Sequence, residues 1–102
     1  MDLGLNGHVA VVSGGSRGIG KAAALALAAE GAHVALIARD LAVAQAAADE
    51  IAAASGRNVR AYTADTGDDD AVRSAFDRIA ADFGRIDVLV NCAAQPGGQA
   101  PP

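Results

Sequence analysis

The segment Ser13-Gly-Gly-Ser-Arg-Gly-Ile-Gly20 has the residue types and spacing best suited to chemistry in this chain. Glycines at Gly14, Gly18 and Gly20 let a backbone turn tightly into a helix and approach a phosphate as closely as its own N–H groups require, which side chains would prevent. A plain tight connection would use the same residues. What favours ligand chemistry is position: the segment joins the β-branched run Val9-Ala-Val-Val12 to an alanine- and leucine-rich stretch, the junction at which open parallel sheets bind phosphate. Two phosphate chemistries compete. The run Gly15 to Gly20 followed by Lys21-Ala22 comes within one residue of the G-x-x-x-x-G-K-[ST] loop of nucleoside triphosphatases, with Lys21 in reach of a terminal phosphate. Ala22 stands where that chemistry needs a hydroxyl for magnesium, and no second apolar strand ends in a partner acid. Dinucleotide binding is the better reading.

Charge then discriminates between dinucleotides. A carboxylate at the end of the second strand suits a ribose 2′-hydroxyl, whereas cations suit a 2′-phosphate. Here that strand ends Ile37-Ala38-Arg39, and Arg39 together with Arg17 of the glycine loop supplies two guanidinium groups able to bind phosphate in a bidentate manner. The plain alternative is two solvated loop arginines. The neighbouring Asp40 reads as a helix cap. NADP(H) is the expected cofactor, with NAD(H) as the alternative.

The elements that must hold these residues alternate in period. Val9–Val12, His33–Ala38, Val59–Tyr62 and Ile86–Val90 read as strands. Between them lie helical stretches from Lys21 to Glu30, from the cap Asp40 to Ser55, and from Asp68-Asp-Asp70 to the residue before Gly84. Val72, Phe76, Ile79 and Phe83 mark the buried face of the last one. Strands alternating with helices of this length imply right-handed βαβ crossovers. The expected class is α/β: a partial Rossmann-like, doubly wound parallel sheet of order 3-2-1-4 with three crossover helices. The fourth strand should form an exposed apolar edge. Residues 1–94 are expected to form a cofactor-binding half domain, and the prolines and glycines of 95–102 a loop that is cut off.

The same residues carry a family resemblance over the whole chain. Gly14-x-x-x-Gly18-x-Gly20 resembles the T-G-x-x-x-G-x-G fingerprint of the short-chain dehydrogenase/reductase family, with Ser13 where threonine is usual. Asp65-Thr66, after the third strand, is similar to the family's adenine-contacting acid segment. Asn91-Cys-Ala-Ala94, after the fourth, resembles its N-N-A-G segment, although Cys92 replaces asparagine and Ala94 replaces glycine. The resemblance implies a cofactor site made by Gly14, Ser16, Arg17, Gly18, Ile19 and Gly20 in the loop. It adds Arg39, Asp65, Thr66 and Asn91 at the other strand ends. It also implies hydride transfer between the nicotinamide and a carbonyl or alcohol substrate, in a family that is usually homo-oligomeric.

Turnover needs more than this chain supplies. The family's signature Tyr-x-x-x-Lys has no counterpart, because Tyr62 is followed four positions later by Thr66 and the only lysine is Lys21. The expectation is thus the N-terminal half of such an enzyme, with no catalytic residue of its own. A stand-alone dinucleotide-binding or interaction module is the second reading, and a phosphate-loop triphosphatase the third.

Composition excludes several other classes. With 102 residues one compact domain is expected, and 52% hydrophobic against 20% charged residues argues against a disordered chain. A net charge of -4 offers no basic footprint for nucleic acid. A single cysteine excludes an internal disulfide, and neither a signal peptide nor a membrane span is apparent, so a cytoplasmic location is expected. His8 and His33 read as strand-edge residues, not metal ligands, and Cys92 as a small apolar residue.

Overall fold

The computed structural model describes residues 4–14, 18–65 and 67–92. Strands β1 (Val9–Ser13), β2 (His33–Ala38), β3 (Val59–Thr63) and β4 (Val88–Asn91) alternate with helices α1 (Gly18–Ala29), α2 (Leu41–Ser55) and α3 (Asp69–Phe83). The strands are parallel and lie in the order β3-β2-β1-β4, the half of a doubly wound sheet that the sequence implies.

Burial explains the arrangement. β1 is buried along its whole length and β2 over all but His33, so each needs an apolar residue at nearly every position and cannot alternate with polar ones. Successive side chains still point to opposite faces. Val12, Val34, Leu36 and Val59 face α1 and α2, packing on Ala24, Ala28, Ala47, Ala48 and Ile51. Val11, Ala35, Ile37 and Tyr62 face α3, packing on Ala75 and Ile79. Ala24, Ala28, Ala47 and Ala48 are therefore core residues whose small size lets the helices lie close to the sheet, while Ala22, Ala26, Ala42 and Ala46 face outward as good helix formers.

Helix ends follow local chemistry. Asp40 accepts from the N–H groups of Ala42 and Val43 at 3.0 and 3.3 Å, and Asp68 from those of Asp70 and Ala71 at 3.0 and 3.2 Å. Gly56 and Gly84 close α2 and α3 by donating to Ala52 and Ala80. Gly31 is required sterically: its φ is +100°, and a Cβ there would lie 2.9 Å from the Asn6 Cα.

Two boundaries differ by more than one residue from those expected. α1 starts at Gly18 and not at Lys21, because its first turn is made from the glycine motif itself, whose low helix propensity conceals the onset. β4 starts at Val88 and not at Ile86, since Ile86 packs against the α3-side core and Asp87 bonds with the head of β1. The Val9 N–H donates to Asp87 Oδ2 at 2.8 Å, and the Asp87 N–H to the Val9 carbonyl at 2.8 Å. Arg85, 2.8 Å away, together with that Val9 N–H holds the Asp87 carboxyl below the usual carboxylate range.

β4 is a sheet edge in which Leu89 is 56% exposed. His33 Nδ1 accepts the Asn58 N–H at 3.0 Å, tying the start of β2 to the start of β3. His8 Nδ1 is buried and lacks a hydrogen-bond partner among the described residues. Among those residues no cluster of histidine, cysteine or acid could hold a metal ion, and no helix is long and apolar enough to cross a membrane.

Candidate functional site

Parallel pairing brings all four strand ends to one edge. Ser13 stands opposite Ile37 on one side and Asn91 on the other, and Ala38 stands opposite Thr63. The loops after these strands therefore rise side by side over the order reversal between β2, β1 and β4, where a crevice opens in doubly wound sheets.

At the centre of this edge, Ser13 is buried and its carbonyl accepts the Cys92 N–H at 2.8 Å. Gly14 donates to the Ile37 carbonyl at 2.7 Å and then turns away at φ +80°, in the left-handed region that glycine occupies without a steric penalty. Ser16 and Arg17 lie outside the described residues. The chain re-enters as the first turn of α1, where Gly18 is exposed and Gly20 is buried. Ile19, between them, is 81% exposed, a large apolar side chain standing out from the first turn of α1. No acid occupies the first turn of α1. Lys21 pairs through its ammonium with Glu50 of α2 at 2.8 Å.

The β2 end carries the charge. Arg39 is exposed, and its guanidinium makes no ion pair or hydrogen bond among the described residues. Of the adjacent Asp40 carboxylate, Oδ1 takes both bonds of the α2 cap, as expected for it, and the second oxygen has no partner among the described residues. The Arg39 carbonyl accepts the Thr63 hydroxyl at 3.1 Å. Sequence reading did not single out Thr63, and nothing but a hydroxyl at the end of a strand could have signalled it.

Beyond β3, one oxygen of the exposed Asp65 accepts the Gly67 N–H at 2.9 Å, which shapes the loop and leaves the second oxygen without a partner among the described residues. Thr66 lies outside the described residues. Asn91 is exposed at the end of β4, in register with Ser13. The structure thus brings Gly14, Gly18, Ile19, Gly20, Arg39, Asp65 and Asn91 to one edge of the sheet. Cys92 is half-buried against the α1 and α2 side of the core.

Tyr62 stands apart from this edge chemistry. Its hydroxyl donates to Asp82 at 2.7 Å, and burial together with that carboxylate pushes its pKa up to about 12. A tyrosine acid/base needs the opposite shift, towards the working pH.

A Rossmann-like α/β half-sheet with a glycine-rich turn at its central strand end is the class that fold and site define. Comparison with known proteins sharpens this: a model of the short chain dehydrogenase family matches residues 8–101, and the chain belongs to that family. It is 41% identical over 92 residues to a D-threitol dehydrogenase of Mycolicibacterium smegmatis, covering 90% of this chain and 35% of that one. L-sorbose reductase of Gluconobacter frateurii, solved with NADPH and L-sorbose, superposes with a TM-score of 0.90 at 35% identity, over 98% of this chain and 38% of that one. An NAD+-bound xylitol dehydrogenase superposes at 0.80, also 35% identical, over 84% and 33%. The chain spans about a third of the length of these relatives.

Proposed function

We propose that residues 1–94 form the NADP(H)-binding half domain of a short-chain oxidoreductase, acting in the cytoplasm. The observation that carries the cofactor reading is the division of labour at the β2 end. Asp40 Oδ1 is turned onto the α2 cap, and the neighbouring Arg39, whose guanidinium has no partner among the described residues, supplies a cation that suits a 2′-phosphate better than a 2′-hydroxyl. Arg17 would add a second guanidinium from the glycine loop. Gly14, Ser16, Gly18 and Gly20 would allow the pyrophosphate to lie against the backbone, and Ile19 would pack on the nucleotide. Asp65 and Thr66 would receive the adenine, and Asn91 would border the nicotinamide end.

The cofactor, once bound, supplies the hydride that is exchanged with a carbonyl or alcohol substrate. The chain's own residues bind and orient the nucleotide but hold no proton relay, so substrate and turnover belong to a longer protein of the length its relatives have. NADPH fluorescence titration of the chain, with NADH in parallel, tests the reading. NADPH should bind more tightly. Arg39→Ala should weaken NADPH about tenfold or more, the loss of a charge-assisted bond, while leaving NADH little changed. Tighter binding of NADH, insensitive to Arg39→Ala, would return the site to NAD(H).

A further inference from the structure

The β2–β3 ladder ends at the pair Ala38 and Thr63, followed by one backbone bond from the Ala64 N–H to the Ala38 carbonyl at 3.1 Å. The Arg39 carbonyl lies beyond the ladder, and the Thr63 hydroxyl holds it at 3.1 Å, so a side chain extends the pairing by one residue. On the far side of the same peptide, Asp40 caps α2 with its carboxylate and accepts the Ala44 N–H with its carbonyl at 3.0 Å. From α3, Arg78 reaches the Thr63 carbonyl at 3.4 Å, a longer and weaker restraint on the clamping residue.

Arg39 and Asp40 are consecutive residues of opposite sign, and each is a group that a ribose could meet. The orientation of the peptide between them decides which one it meets. We propose that Thr63 is a positioning residue for cofactor discrimination: by holding the Arg39 carbonyl it keeps Asp40 on the α2 cap and leaves Arg39 as the charge presented to the 2′ position. The inference rests on the reading of Arg39 given above. Without the hydroxyl the carbonyl turns to water and the peptide gains freedom. Ordering Arg39 on a phosphate then costs more, and a released Asp40 carboxylate repels a 2′-phosphate while accepting a bond from a 2′-hydroxyl. The NADPH to NADH preference therefore falls, which a general loss of stability would not produce.

The test is titration of the full chain with NADPH and NADH in wild type, Thr63→Val, Thr63→Ala, Thr63→Ser and Arg39→Ala, with circular dichroism melts to establish folding. Thr63→Val and Thr63→Ala both remove the hydroxyl but differ in strand propensity, so either one that folds carries the readout. NADPH affinity should fall about two- to tenfold, the worth of one partly exposed hydrogen bond, with NADH unchanged or tighter. Thr63→Ser should restore the wild-type ratio. A folded hydroxyl-less variant with the wild-type ratio, or with both cofactors weakened equally, overturns the positioning role. If Arg39→Ala weakens NADPH while the Thr63 variants keep the ratio, this inference alone fails. If Arg39→Ala has no effect, or the wild-type chain binds neither nucleotide, the reading of Arg39 fails and this one with it.

Discussion

The N-terminus of α1 and those of α2 and α3 are built in opposite ways. α2 and α3 begin with Asp40 and Asp68, each accepting two N–H groups of its own first turn, and α3 adds Asp69 and Asp70. α1 has no acid in its first turn, and the three residues before it are Gly15, Ser16 and Arg17. Every helix start leaves N–H groups unsatisfied and carries partial positive charge. Two of these helices answer that requirement with their own carboxylates. The one rising from the central strand end is preceded by glycines and an arginine, a composition that suits an anion from outside. The contrast teaches that the two aspartate-capped starts serve stability, while α1 begins without an acid at the position proposed above for the cofactor phosphate.

The strongest way to break the contrast is to give α1 an acid of its own. Ile19→Glu replaces an 81% exposed side chain, so the fold should survive, and a carboxylate in the first turn should raise stability by about 0.3–1 kcal/mol. Its charge, set beside the phosphate position, should weaken both NADPH and NADH about tenfold or more by repulsion. Melts and titrations on one preparation read both effects. Unaltered nucleotide affinity would remove α1 from the binding site.

The converse change should separate the same two properties. Asp68→Ala removes the α3 cap and should lower stability by about 1 kcal/mol, read by urea denaturation, with no change in the NADPH to NADH ratio. A change in that ratio would mean that a capped helix start shapes the site as well.

The smallest effect lies on the α3 side of the sheet, in the Tyr62–Asp82 bond. Tyr62 is the chain's only tyrosine, so ultraviolet absorbance follows it directly. In the folded chain it should titrate near pH 12, against about 10 in the unfolded one. Because the folded pKa is the higher, this contribution to stability is complete below about pH 10 and is lost as pH rises towards 12. Asp82→Asn should lower the folded value without restoring it fully, since burial is the larger cause. Nucleotide affinity at neutral pH should not change.

Much of this molecule was legible in its residues because the signals are local. Short runs rich in apolar residues marked the four strands, and the acids at Asp40 and Asp68 marked two helix starts. Gly56 and Gly84 marked two helix ends. Boundaries slipped where a local signal was overridden. Gly18 and Gly20 disfavour a helix but take part in one. Ile86 continues an apolar run but belongs to the core under α3 and not to the ladder. Within the site, Arg39 was visible as a charge at a strand end, whereas Thr63 carried no signal, since its partner lies 24 residues away in sequence.

The sequence by itself determined the order of elements, the parallel class and the position of the glycine turn, because each depends on the types of residues close together in the chain. Only the tertiary structure decided which charges remain available. Lys21 could have met a phosphate and is instead paired with Glu50, and Asp40 could have met a ribose but caps α2. Arg39 is left without a side-chain partner among the described residues, and its carbonyl is held by Thr63. The physical reason is that a charged side chain's role depends on which partner is nearest in space, and spacing along a chain does not specify that.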